Sequence, residues 1–288
     1  MSLRNAAVGA AAWIVAVLAL RLPIIDALFL WAPLVIVPLG LECIPVHRAI
    51  RIAQPLAALL AAVSFAFRPG AAATALAIPW AILCGAMALL GAARFFRRRP
   101  FDLVETFVDA ALGLIAVGGF GLVMSRAGMK PGGFEEPIVL LTAVHFHYTG
   151  FAAPLLIGLA GRRVGRRLPI LIAGAAVVVG TPLLAAGFTL HLPLVKVVAA
   201  WAIAAGLAIF SWQLVRLSID EPRTLPRVLL GVAAFSIFWG MVFVGLYSVG
   251  EFRERIIVAI PQMAWIHGIV NAFGFATCGL LGARTWRI

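Results

Sequence analysis

Long apolar runs, separated by short clusters rich in Arg, Pro or Gly, repeat along the whole chain. Runs near the ~20-residue length that crosses a bilayer as a helix fall at about 6–22, 25–44, 53–67, 71–93, 102–125, 137–160, 168–190, 194–218, 226–249 and 256–283. In lipid, every backbone polar group has to be satisfied within the segment. The pattern therefore predicts an all-α polytopic transmembrane helix bundle of about ten spans, with residues 1–288 as a single integral membrane domain. The third run is short, which suits a tilted or partial crossing. Pro23, Pro69, Pro100, Pro137, Pro169 and Pro226 stand at or near the joints, where a missing N–H costs least. The polar joints near 126–136 and 219–226 are too short to fold alone, and no internal repeat is visible.

Composition supports lipid as the solvent. The chain is 64% hydrophobic and 12% charged, whereas a soluble domain is nearer half apolar and a quarter charged. The net charge of +12 does not indicate nucleic acid. Its Arg residues cluster at span ends instead of lining one polar face, a pattern that reports topology and contact with phospholipid. Ten spans would place sixteen basic residues on one side: Arg4, Arg48, Arg51, Arg94, Arg97, Arg98, Arg99, Arg162, Arg163, Arg166, Arg167, Arg216, Arg223, Arg227, Arg284 and Arg287. Arg21, Arg68, Arg126, Lys130, Lys196, Arg253 and Arg255 fall on the other. The positive-inside rule then puts both termini in the cytoplasm. The first run resembles a signal peptide, but Arg21 and Pro23 follow it directly with no small-x-small site, so a retained anchor is expected. Cys43, Cys84 and Cys278 form no Cys-x-x-Cys pair and read as small buried hydrophobes.

Ionisable groups at membrane depth are costly and are candidates for function. His145-Phe146-His147-Tyr148-Thr149-Gly150-Phe151, followed by Pro154, lies near the middle of the sixth run. Residues i and i+2 of a helix point about 200° apart, so His145 groups with Thr149 while His147 groups with Phe151. Pro154 removes the bond to the Gly150 carbonyl, and a kink is expected there. In the tenth run, His267 and Asn271 share a face at i, i+4, and Gly274 permits close helix approach. The two histidine stretches lie at similar depth, so a joint polar pocket is possible. The bland alternative is that these groups only bond neighbouring helices. Asp102, Glu105 and Asp109 share one face of the fifth run, either as acid–base or proton-relay groups or as partners of Arg97, Arg98 and Arg99.

The stretches around His145 and His267 carry a resemblance. His145-Phe146-His147-Tyr148-x-Gly150-Phe151-x-x-Pro154, with His267-Gly268-x-x-Asn271-x-x-Gly274-Phe275, resembles the YndJ-like family of bacterial membrane proteins. That resemblance implies a multi-pass protein of the bacterial inner (plasma) membrane that is sometimes labelled a transporter. It also implies a membrane domain that longer members extend with a further region.

Two functions fit these residues. In a transporter or permease, His145, His147, His267 and Asn271 form a central site, with Tyr148 and Thr149 beside it and Asp109 and Glu105 on an inner exit path. In an intramembrane enzyme acting on an isoprenoid or other lipid-like substrate, the same histidines are acid and base and Asp109 assists. A metal-bearing variant of the enzyme joins His145 or His147 to His267, with Asp109 as an oxygen ligand. The residue pattern leaves the cofactor and the metal content open. The expected partners are the bilayer and a small-molecule or lipid-like substrate.

Overall fold

A computed structural model describes residues 2–286; Arg287, counted above among the basic residues, lies outside the described residues. The described chain is helical, as the spacing of apolar runs requires. Its helices are α1 (Ser2–Leu20), α2 (Ile24–Glu42), α3 (Arg48–Ser64), α4 (Ala71–Arg97), α5 (Leu103–Arg126), α6 (Ile138–Val164), α7 (Leu168–Thr189), α8 (Pro193–Asp220), α9 (Thr224–Phe252) and α10 (Ile260–Trp286). Among the described residues, nine of these are long and apolar enough to cross a membrane, α3 being the exception.

The chain divides into two compact units. One holds residues 1–98 and 109–152, the other residues 99–108 and 153–288. Each is described by itself.

In the first unit, α2 is apolar on all sides from Ala27 to Leu41, and such a helix belongs in an interior. Accordingly, 83% of its spanning window is buried, against 11% for α1. Pro33 and Pro38 disturb its backbone ladder. A π turn occupies Ala32–Ile36, with the Val37 N–H bonded five residues back to the Ala32 carbonyl. In that register the Pro33 carbonyl would next receive the N–H of residue 38, which is proline and has none. Gln54, buried on α3, supplies the missing donor: its Nε2 lies 2.7 Å from the Pro33 oxygen. Gly9 on α1 faces the same turn so closely that a Cβ there would stand 1.9 Å from the Leu34 oxygen.

The helix α3 has 17 residues, or about 25 Å at the α-helical rise. Its two ends nevertheless meet the last residues of α4 and of α5. Near its start, Arg94 at the end of α4 bonds the Pro45 carbonyl. Past its end, Arg126 at the end of α5 donates to the Ser64 and Phe67 carbonyls, and the Gly70 N–H donates to the Arg126 carbonyl. The short third run is thus a full partner in the layer, its last carbonyls capped by an arginine. Its buried face includes Ile50, Gln54, Ala57, Ala58 and Ala61, while Ile52, Leu56 and Val63 point outward.

The second unit packs mainly through small residues, as membrane helices do. A Cβ at Gly174 would collide with Phe107, one at Gly180 with Ile203 and one at Gly206 with Ala176. The Ser211 hydroxyl on α8 donates to the Ala234 carbonyl of α9 at 2.8 Å. The helix α10 departs from regular geometry over two stretches, Ala264–Gly268 and Val270–Thr277, both π. Side chains record the wider register. Thr181 on α7 bonds the carbonyl four residues back, whereas on α10 Thr277 and Cys278 bond the carbonyls of Ala272 and Phe273, five residues back.

Candidate functional site

His147 is fully buried in the first unit. Its Nδ1 lies 2.7 Å from the Ala143 carbonyl, and its Nε2 lies 3.0 Å from the indole Nε1 of Trp80. A carbonyl only accepts and an indole N–H only donates. These partners therefore place the proton on Nδ1 and the lone pair on Nε2, and both ring nitrogens are used. The Trp80 ring stacks on the imidazole and the Phe29 ring meets it edge-on, with centroids at 5.8 and 5.3 Å. Gly118 leaves the room: a Cβ there would fall 2.6 Å from Nδ1. His147 is bonded and walled on every side that these contacts define.

His145 points elsewhere. It is exposed, and its Nδ1 bonds the Leu141 carbonyl one turn back at 2.7 Å. The two histidines therefore diverge as the i, i+2 geometry requires. Tyr148 is buried and donates its hydroxyl to the Leu28 carbonyl at 2.8 Å; Thr149 is half-buried. The kink expected from Pro154 takes the form of a π turn over Tyr148–Ala152.

The three acids of α5 are each matched to arginine. Asp102 caps the helix, accepting from the N–H groups of Val104 and Glu105, and pairs with Arg166 at 3.1 Å. Burial pushes its carboxyl up, but the bonds from Arg166 and the two backbone N–H groups outweigh this and hold it below the ordinary value. Glu105 is held by both arms of Arg162, Nη2 lying 2.8 Å from Oε2. These partners belong to the second unit. Asp109, in the first, is buried between Arg94 Nε at 2.7 Å and Arg98 Nη1 at 2.6 Å. Gly91 brings α4 against this point, since a Cβ there would lie 2.5 Å from the Asp109 carbonyl. Of the arginine run expected to neutralise these acids, Arg98 pairs with Asp109; Arg94, Arg162 and Arg166, outside that run, pair with Asp109, Glu105 and Asp102.

His267 and Asn271 lie in the π stretches of α10. Nδ1 of His267 is 2.9 Å from the Gly240 carbonyl on α9 and 3.1 Å from Asn271 Nδ2, which also bonds the His267 carbonyl at 2.8 Å. Nδ1 cannot donate to Gly240 and accept from Asn271 together. The assignment that leaves no two acceptors facing each other puts the proton on Nδ1, bonded to Gly240, and gives the amide hydrogen to the His267 carbonyl. Asn271 Oδ1 is then a buried acceptor with no hydrogen-bond partner. Gly240 faces the amide at 2.8 Å from where a Cβ would be, and Gly274 similarly admits the Ser236 hydroxyl.

The joint pocket expected of the histidines draws on both units: His145 and His147 belong to the first and His267 to the second. Each has the local partners given above. Among the described residues, no group of three His, Cys, Asp or Glu side chains could hold a metal ion.

Two buried or half-buried charges escape a reading that takes span-end residues as topology markers. Arg126 is 7% exposed, and its guanidinium stands 4.7 Å over the Phe65 ring. Asp26 and Glu136 lie within electrostatic range of it. The hint was Asp26 itself, an acid three residues past Pro23 inside an apolar run.

A family model described as YndJ-like protein matches residues 27–275. The chain belongs to the YndJ-like family. Both histidine stretches of this YndJ-like chain fall inside the matched region. It is similar to the uncharacterized membrane protein YndJ of Bacillus subtilis (strain 168), with 33% identity over 204 residues that cover 70% of this chain and 36% of the relative. The chain thus matches little more than a third of that relative's length. No solved structure matches it. Family, homologue and apolar helices together make it a multi-pass membrane protein.

Proposed function

We propose that this YndJ-like chain is a permease-type domain of the bacterial inner membrane, with its working site at His267 and Asn271. The observation that carries this reading is the unpartnered amide oxygen of Asn271. Buried polar groups are nearly always hydrogen-bonded, and an unmet one costs free energy. This one is kept beside an imidazole, in a helix whose register is irregular over two turns. Long π stretches are rare and cluster at functional sites. A π stretch can also return to α register, which would turn the side chains after it about the helix axis. That supplies the movement an alternately open site needs.

An intramembrane acid–base enzyme ranks second. Such an enzyme would use the same histidines with Asp109, and of these His147 has both nitrogens committed to Ala143 and Trp80, while Asp109 is held between Arg94 and Arg98.

The test is solute uptake into proteoliposomes, with labelled water-soluble and lipid-like solutes under imposed pH gradients of both signs. Saturable uptake by the native chain, lost in His267→Gln and Asn271→Ala inserted to equal density, is the expected result. Uptake equal to that of protein-free vesicles for every solute and both gradients would reject transport.

A further inference from the structure

The helix α9 ends without glycine at the position where helices usually take one. Its last turn is closed by the Arg253 N–H on the Val249 carbonyl and by the Arg255 N–H on the Gly250 carbonyl, at 3.0 and 2.9 Å. The wider of these bonds marks a Schellman cap, whose reversing residue is left-handed and usually Gly or Asn. Here that residue is Glu254, with φ 53°. A Cβ makes this conformation costly, and strain of this kind gathers where a side chain is put to use.

The cap folds the chain back over the helix end. A Cβ at Gly250 would stand 2.7 Å from the Arg255 carbonyl and 3.2 Å from Ile257. Beside this contact lies a cavity of about 260 Å³, lined by Tyr247, Glu254, Arg255, Ile256 and Ile257 among others. Pockets for drug-sized ligands begin near ~300 Å³, so this one suits a lipid headgroup and not a whole lipid.

Glu254 and Arg255 are both exposed, and they bring a carboxylate and a guanidinium to one cavity. A lone phosphate drawn to Arg255 would meet the carboxylate. A lone ammonium drawn to Glu254 would meet the guanidinium. A zwitterion satisfies both, and a primary ammonium adds charge-assisted N–H bonds to the carboxylate that a quaternary one cannot make. The Tyr247 ring supplies an aromatic wall, which suits an ammonium.

The surroundings favour a lipid over a soluble zwitterion. The spans Thr224–Gly250 and Ile260–Trp286 leave the loop between them at one membrane surface, where headgroups lie. Phe252 and Ile256 are 60% and 89% exposed there, as suits contact with the upper acyl chains. We infer that the α9–α10 loop binds the headgroup of an ethanolamine phospholipid, its phosphate on Arg255 and its ammonium on Glu254.

Native mass spectrometry of the full chain tests this, with ethanolamine, choline and glycerol phospholipids of identical acyl chains. Lipid also binds along the spans, so the quantity read is the difference between the native chain and a variant. The native chain should hold the ethanolamine lipid roughly fivefold tighter than the other two, the scale of one exposed ion pair. Glu254→Gln should erase that preference, and Arg255→Gln should weaken the ethanolamine lipid by a similar factor. Glu254→Gly separates ligand from fold. Glycine relieves the left-handed strain, so the unfolding midpoint should rise while the preference is lost. No preference in the native chain, or one that survives either glutamine substitution, would overturn the assignment. Soluble phosphoethanolamine that displaced the lipid at equal concentration would overturn it too, by making the occupant a free zwitterion.

Discussion

At the residue scale, a histidine's partners decide its role. The two partners of His147 fix its tautomer and consume its chemistry, since Ala143 needs a donor and Trp80 needs an acceptor. Trp80→Phe removes the indole N–H and leaves Nε2 a buried orphan, which costs about 1–3 kcal/mol. A lowered unfolding midpoint in detergent, with uptake per folded molecule unchanged, is expected if His147 is a bonding element of the first unit. Intact stability with lost uptake would instead return His147 to the working machinery. The divergence of His145 from His147 was legible from two residues of spacing alone. The Trp80 partner was not, because it lies 67 positions away in the chain and periodicity carries no information on which helices become neighbours. The same limit hid Arg126, whose hydrogen-bond acceptors, Ser64 and Phe67, are about sixty residues upstream. The pairing of His267 with Asn271 was legible, being i, i+4; the competition of Gly240 for the same nitrogen was not.

At the element scale, proline writes irregularity into the sequence only where it stands. Pro154 foretold the break in α6. In α2 the consequence of Pro38 lies on another helix, where Gln54 serves the carbonyl that Pro38 cannot. A double-mutant cycle tests this pairing. Gln54→Leu should destabilise the native chain by leaving the Pro33 carbonyl unmet. In a Pro38→Ala background, which restores an N–H five residues on, the same change should cost less. A coupling of about 1 kcal/mol in thermal or denaturant unfolding is the expected size. Identical costs in both backgrounds would mean that Pro33 is not what the two residues share. The π stretches of α10 had no such forecast, since Pro261 sits at its first turn and residues 264–277 contain no proline. Their only sequence trace is indirect: a histidine, an asparagine and two glycines within eight residues of an apolar run.

At the scale of the whole molecule, orientation depends on whether α3 crosses. By length and apolarity it is, among the described residues, the one helix of the ten that falls short, and its loss as a crossing would reverse the side of every later loop. Its bonds at both ends argue that it does cross: Pro45 to Arg94 at one end, and Ser64 and Phe67 to Arg126 at the other. An arginine at each end of one helix, meeting the ends of α4 and α5, is the arrangement expected of adjacent antiparallel spans. Arg48 and Arg68, both exposed, flank α3 and would then face opposite sides of the membrane, with Arg48 on the basic, cytoplasmic side. The check is labelling by a membrane-impermeant maleimide in whole cells, on a chain freed of Cys43, Cys84 and Cys278. Arg68→Cys should label from outside and Arg48→Cys only after permeabilisation. Labelling of both from one side would make α3 a re-entrant hairpin arm. The sixteen-to-seven division of basic residues would then lose its meaning, because it holds only when the third run counts as a crossing.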